Sequence, residues 1–323
     1  MSAGILVLVE HLRGTVADIT FEMLGAARKL SESLHGPVHA VVLGKDGAAL
    51  AARLGAADSV LVVDDPALEQ PSAEAAIGVL QQIMAQKQAT LVLLGGTNVS
   101  FGLGARLSAR TQLPFVNFCK GARVDGDAVV LTSQLFGGKI LSDVKLAQAR
   151  GIVSIYPGAF PADPGRSDRS PPVEKLAVPV TASKVVFQQF VEPETGDVDI
   201  TKQTVLVAVG RGIQSADNVE LAEELARKLG GAVCASRPVI DQGWLPLSRQ
   251  VGKSGMSVKP RVYLAFGISG APEHWDGMQN SECIIAVNTD PKAPIFDGAH
   301  YGVVGDAVEL LPLLTGKIQA RKG

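Results

Sequence analysis

Along this chain, short unbroken apolar runs alternate with stretches of helical spacing. Ile5–Val9 is continuously apolar, as a parallel strand buried on both faces must be. From Ile19 to Ser33, Phe21, Leu24, Ala27 and Leu30 recur roughly on one side of a helix. Val38–Leu43 predicts the next strand, Gly47–Leu54 a short helix and Val60–Val63 a further strand. Ser72 is placed to cap a helix reaching Gln86, with Glu74 and Ala75 in its first turn. Leu91–Leu94 predicts another strand, and Gly95-Gly96-Thr97-Asn98 then turns the chain towards a helix near Leu103–Arg110. Such alternation implies a parallel sheet wrapped by helices.

The pattern then changes. Phe115–Ile155 is strand-rich, with runs such as Ala128–Leu131 and Ile152–Ile155, and Asp125-Gly126-Asp127 reads as a hairpin turn. An antiparallel addition to the first sheet is expected. Pro157–Pro179 combines prolines and charges without periodicity and predicts a surface loop. Lys184–Phe190 is strand-like, and Glu192–Gly196 is polar and turn-prone. A chain of 323 residues, at roughly 100–200 per domain, suggests two domains, and the boundary falls in that polar stretch, giving 1–192 and 193–323.

Alternation restarts in the second half. Val205–Val209, Ala232–Ala235, Val262–Phe266 and Cys283–Val287 are strands. Asp217 can cap a helix to about Leu229, a short helix covers Glu273–Met278, and a last one runs from Asp306 to Ile318, kinked or divided at Pro312. The fold class is α/β in two domains. The first is a mostly parallel sheet with an antiparallel addition, and the second a doubly wound parallel sheet.

Composition narrows the partners. Thirty Lys and Arg against 32 Asp and Glu give a formal charge of −2, which argues against nucleic acid. No apolar run approaches the ~18 residues a membrane helix needs, and Gly4–Val9 is too short for a signal peptide, so no membrane insertion and a cytoplasmic protein are expected. Cys119, Cys234 and Cys283 are far apart and form no C-x-x-C, so neither a disulfide framework nor a zinc site is expected.

In an open α/β sheet the ligand crevice lies at the carboxyl ends of the strands. Gly210-Arg211-Gly212, Ser236-Arg237, Gly267–Gly270 and Asn288 should therefore converge, with glycines letting backbone N–H groups approach an anion. Gly210–Ser215 is only half a dinucleotide fingerprint, a weak signal that a plain strand-to-helix turn explains more often. An NAD site wants an acid at the end of the second strand, where Ser236-Arg237 stands instead. Gln250–Gly255 is glycine-spaced but fails the P-loop spacing. His274 lacks a triad partner, and the other histidines lack metal spacing. From the residues alone, the site takes a nucleotide-type ligand.

At these residues the chain resembles the α subunits of electron-transfer flavoproteins. Gly210-Arg211-Gly212, Ala235-Ser236-Arg237, Arg249–Gly255, Gly267–Gly270, His274, Gly277-Met278 and Ala286–Pro291 followed by Ala293–Phe296 keep that family's order and spacing. Phe136–Lys139 and Pro157–Phe160 fit more loosely. The resemblance implies a C-terminal domain holding FAD and an N-terminal domain packed on a β subunit that carries AMP or, in electron-bifurcating relatives, a second FAD. It also implies flavin dehydrogenases of the acyl-CoA or N-methyl-amine type as donors, and a quinone reductase or another acceptor. Such a subunit is an electron carrier without catalytic residues. By resemblance, Arg237 lies against the flavin ring and Ser254 hydrogen-bonds flavin N5. His274 donates to the O2 side. Ser236, Gln250, Gly255 and Ser269 line the flavin or its pyrophosphate, and Asn288 and Asp306 hold the AMP half. Arg211, Val251, Gly252, Gly267 and Gly270 complete the set. Lys253 and Glu273 stand where the family commonly has Gln, so each adds a charge near the flavin; the expectation is that they offset one another. Pro272 and Trp275 also depart from the usual residues. The rival readings are an NAD-binding α/β enzyme and a non-redox nucleotide-binding scaffold.

Overall fold

A computed structural model describes residues 4–45, 47–70, 72–181, 183–190 and 197–322. The chain divides into two compact units, residues 1–188 and 189–323. The predicted boundary at Glu192–Gly196 lies outside the described residues.

In the first unit, β1 (Gly4–Leu8) is followed by a two-stranded hairpin, β2 (His11–Leu12) and β3 (Thr15–Val16), then α1 (Asp18–Leu34), β4 (Val38–Gly44) and β5 (Ser59–Asp64). After them come α2 (Ala73–Lys87), β6 (Ala89–Gly95), α3 (Leu103–Thr111), β7 (Phe115–Asp125), β8 (Ala128–Leu135), β9 (Ile140–Leu146), β10 (Gly151–Ile155) and β11 (Val173–Lys175). One nine-stranded sheet results, in the order β11-β5-β4-β1-β6-β10-β7-β8-β9. It is parallel except where β8 runs antiparallel to β7 and to β9. The run Ile5–Val9 is continuously apolar because both faces are covered. Ile5 and Val7 pack with Leu24 and Ala27 of α1, while Leu6 and Leu8 pack with Leu80 and Ile83 of α2. Gly126 turns the β7–β8 hairpin in a left-handed conformation.

Two expectations change here. Pro157–Pro179 is more than surface loop, since β11 within it pairs with β5. The loop is also tied to α1: Glu22 accepts from Gly158 N at 2.8 Å, and a Cβ on Gly165 would sit 1.9 Å from the Phe21 carbonyl. Lys184–Phe190 forms no strand among its described residues. Lys184 N instead donates to Glu74, and Val185 and Val186 lie exposed.

The second unit comprises β12 (Val205–Val209), α4 (Val219–Leu229), β13 (Ala232–Ala235), α5 (Arg237–Asp241), β14 (Val262–Phe266), α6 (Pro272–Met278), β15 (Cys283–Asn288), α7 (Ile295–Gly298), β16 (Tyr301–Val304) and α8 (Ala307–Lys322). Its five strands are all parallel in the order β13-β12-β14-β15-β16. Leu206 and Ala208 face one core with Tyr263 and Met278, and Val207 and Val209 face the other with Leu225 and Leu311. Asn218 rather than Asp217 begins α4; a 3-10 turn over Ala216–Asn218 precedes it, and the Asn218 amide donates to Ile213 O. The last helix passes through Pro312 to Lys322 without ending there. The sequence reading missed β16 because it is a short edge strand, exposed along its length, with no alternation to report.

No described helix is long and apolar enough to cross a membrane.

Candidate functional site

Strand order in the second unit reverses at β12, which lies between β13 and β14. A crevice is expected outside the carboxyl ends at that point. There the structure has a cavity of about 590 Å³, within the roughly 300–1,000 Å³ usual for cofactor sites.

Glycines shape its floor. A Cβ on Gly210 would lie 2.2 Å from the Gly267 carbonyl, and one on Gly267 would lie 2.6 Å from Gly212 Cα. The ends of β12 and β14 therefore meet only because all three residues are glycine. Their N–H groups are spent on this contact and on the sheet: Gly210 N donates to Phe266 O, Gly212 N to Gly267 O and Gly267 N to Val287 O. These three N–H groups are therefore engaged within the protein. The glycines serve close packing.

The segment Gln250–Ser254 forms the facing wall. Val251 N donates to Ala235 O at 2.9 Å, which fixes the segment to the end of β13, and Lys253 N donates to Glu273 O at 2.7 Å, which fixes it to α6. Gly252 adopts φ +140°, and a Cβ there would lie 2.8 Å from Glu273 O. Gly277 is required as well, since its Cβ would approach Gly252 N to 2.4 Å.

Gln250 is buried and donates from Nε2 to Ser254 Oγ at 2.8 Å. The exposed Ser254 hydroxyl is thus an acceptor within the protein and keeps its own proton for a ligand. Arg237 opens α5, with its side chain 67% exposed and Nε 3.4 Å from Asp241. Ser236 is buried, and its N–H donates to Val209 O.

His274 is buried, with Nδ1 3.1 Å from Val251 O and Nε2 3.0 Å from Tyr263 Oη. Burial pushes its pKa down to about 4. A carbonyl only accepts, so Nδ1 carries the proton and Nε2 accepts from the phenol. Both nitrogens are engaged in the protein, and donation to a flavin would require giving up one of these bonds. Pro272 is accommodated in the first turn of α6, and Trp275 packs where a Cβ on Gly298 would come within 2.2 Å of its ring.

Thirteen of the sixteen expected residues line this one cavity: Arg211, Ser236, Arg237, Gln250–Ser254, Gly267, Ser269, Glu273, His274 and Asn288. Gly255, Gly270 and Asp306 do not line it. Gly255 packs on the Gln250 carbonyl, and Gly270 on Ile295 N, where a Cβ would come to 2.2 Å. Asp306 caps α8 through Val308 N and accepts from Gln214. Asn288 lines the cavity, but both ends of its amide are bonded, to Ile268 O and Asp290 N. Gly212 and Ile268, in the turns expected to converge, line the cavity too, and sequence reasoning missed Pro238 and Ala271. It also missed Tyr263, whose only signal was a lone phenol within an apolar strand.

A cleft at a sheet switch point, lined by the cations Arg211, Arg237 and Lys253, a hydroxyl with a free proton and apolar walls, is of the class that suits a nucleotide-type cofactor. The comparisons make this specific. Residues 5–181 match the family model described as "Electron transfer flavoprotein domain", and residues 199–279 match "Electron transfer flavoprotein FAD-binding domain". The chain is 34% identical to the electron transfer flavoprotein subunit alpha of Bacillus subtilis, over 98% of this chain and 97% of that one. It is 36% identical to the Megasphaera elsdenii subunit alpha, over 99% and 97%. It is 34% identical to the lactate dehydrogenase (NAD(+),ferredoxin) subunit LctC of Acetobacterium woodii, over 98% and 77%. The chain belongs to the electron transfer flavoprotein family, as an α subunit. Neither the NAD-binding enzyme nor the non-redox scaffold is favoured.

Proposed function

We propose that this chain is an electron carrier that holds FAD in the cavity of its second unit and transforms no substrate of its own. The observation that carries the reading is that the Arg237 guanidinium and the Ser254 hydroxyl line one cavity within the family's FAD-binding region. Bound FAD would supply the redox chemistry. The protein supplies the setting. Arg237 places a fixed positive charge where added negative charge on the ring is stabilised. Ser254, already accepting from Gln250, directs its proton to flavin N5. Gly252, bare of a side chain, lets the backbone come close, and Ser236 and Ser269 offer hydroxyls along the pyrophosphate. His274 contributes a neutral wall. Asn288 and Asp306 hold the loops that face the AMP half.

In this reading, residues 1–192 pack on a β subunit that carries AMP, and residues 193–323 hold the FAD. Electrons arrive from flavin dehydrogenases, of the acyl-CoA or N-methyl-amine class, and leave to a quinone reductase. The test is the visible spectrum of the chain co-expressed with its β subunit, followed by stepwise reduction. Flavin absorption that bleaches and recovers with donor and acceptor supports the carrier. A colourless complex that FAD cannot reconstitute sinks it.

A further inference from the structure

The first unit has a cavity of its own, about 640 Å³, that the carrier reading leaves unused. Its position follows from topology. From β1 the chain moves outward to β4 and β5, then returns to β6 on the other side of β1. Strand order therefore reverses at β1, and open parallel sheets take ligands outside the carboxyl ends of the strands at such a point. The cavity lies there, bounded by the chain after β1, the residues following β4 and β6, and the first turn of α2.

Two kinds of surface line it. Leu43, Leu50, Leu68 and Leu103 form apolar walls, which suit a flat ring. Lys45 and Arg53 line it as exposed cations with no partner among the described residues, against one exposed carboxylate, Glu69. Ser72 and Ala73 open the 15-residue helix α2 on the same cavity, adding the positive end of its dipole.

The interior is set rather than loose. Glu10, 2% exposed, accepts from Thr97 Oγ1 and Ser100 Oγ at 2.6 Å each, joining the end of β1 to the turn after β6. Burial raises its pKa, so this carboxyl opposes an incoming anion less than a surface glutamate would. His11 Nε2 lies 2.9 Å from Leu43 O and joins the ends of β1 and β4. The mouth is therefore braced on both sides before any ligand arrives.

We propose that this cavity is a second nucleotide site, binding a mononucleotide with its heterocycle between the leucines and its phosphate at Lys45, Arg53 and the first turn of α2.

The experiment uses the full chain saturated with FAD, so that the cavity of the second unit is filled. Hydrogen–deuterium exchange is followed with AMP, adenosine and inorganic phosphate as probes. AMP should slow exchange over residues 47–53 and 73–76, adenosine should do so more weakly, and Lys45→Ala with Arg53→Ala should raise the AMP Kd at least tenfold. Ala73→Trp, at the mouth, should abolish the effect without touching the cations. Flavin content reports the second unit separately, so a failure there is distinct from a failure here. Absence of protection at millimolar AMP, equal affinity in the double variant, or phosphate alone matching AMP would each overturn the assignment.

Discussion

Tyr263 Oη lies 3.0 Å from His274 Nε2, and the phenol donates in this contact. The opposite nitrogen faces the Val251 carbonyl, so the ring is an Nδ1–H tautomer that accepts from the phenol. Cys234 Sγ donates to the same phenol oxygen at 3.8 Å, and burial raises the Tyr263 pKa well above its ordinary value. Strand β13, strand β14, helix α6 and the Gln250–Gly255 segment are thus joined through one buried polar chain beneath the cavity.

A neutral histidine with a pKa near 4 makes stability depend on pH. The unfolded histidine takes up a proton below its model value of 6.5, whereas the folded one waits until about 4. Between those values the unfolded state binds more protons, so stability falls as pH falls, by up to about 3 kcal/mol. Urea unfolding from pH 7 to 4.5 should record this loss, and His274→Gln should flatten the curve.

Tyr263→Phe removes the donor and leaves His274 Nε2 without its partner in a buried site. The expected cost is about 1–3 kcal/mol, since an unmet buried acceptor forfeits its solvation. Nitrogen NMR of the imidazole separates this from simple loss of packing: Val251 O should still hold the Nδ1–H tautomer, while the Nε2 resonance should shift as it loses its donor.

The fold was largely legible because burial on two faces writes itself into sequence. Ile5–Val9 and Val205–Val209 are unbroken apolar runs for that reason. Where burial is slight the pattern is silent, as at β16, or misleading, as at Val185-Val186, whose apolar residues have no strand to join. The polar lining was legible through family motifs more than through chemistry. Tyr263 escaped because its role arises from His274, eleven residues away in sequence. At 210, 212 and 267 a glycine-rich turn was legible, but not that backbone crossing backbone requires glycine at each of the three.

Gly252→Ala tests such a requirement within the lining. Its φ of +140° is one that side chains rarely adopt, and a Cβ would press on Glu273 O. The substitution should cost about 1–3 kcal/mol through backbone strain and displace the Lys253–Glu273 backbone link. Thermal unfolding and FAD affinity should fall together. A fall in affinity at unchanged stability would assign Gly252 to ligand approach alone.

Ser254→Ala should weaken FAD binding several-fold, because about 1 kcal/mol is the usual net worth of one neutral hydrogen bond. Gln250→Leu should act by another route. It keeps the hydroxyl but removes the donor that orients it, freeing Ser254 to turn its proton elsewhere. If Gln250 acts only by aiming Ser254, the double variant Ser254→Ala with Gln250→Leu should bind FAD no worse than Ser254→Ala alone. Equilibrium titration of FAD into the three variants checks this.

Lys253 and Glu273 bring opposite charges to one cavity, and their backbones meet where Lys253 N donates to Glu273 O at 2.7 Å. If their fields offset one another at the flavin, Lys253→Gln should lower its potential and Glu273→Gln should raise it, because a cation favours the more negative, reduced ring and an anion opposes it. The double variant should return close to the wild-type value. That return alone does not establish coupling, since two independent opposite shifts would also cancel. Coupling lies in the remainder after the single shifts are added. A double-variant potential equal to their sum assigns the two charges to separate actions on the flavin. A deviation from it assigns them to one interacting pair. Redox titration of all four proteins at low and high salt separates the cases further, because screening shrinks the independent shifts of exposed charges more than those of a pair held in contact.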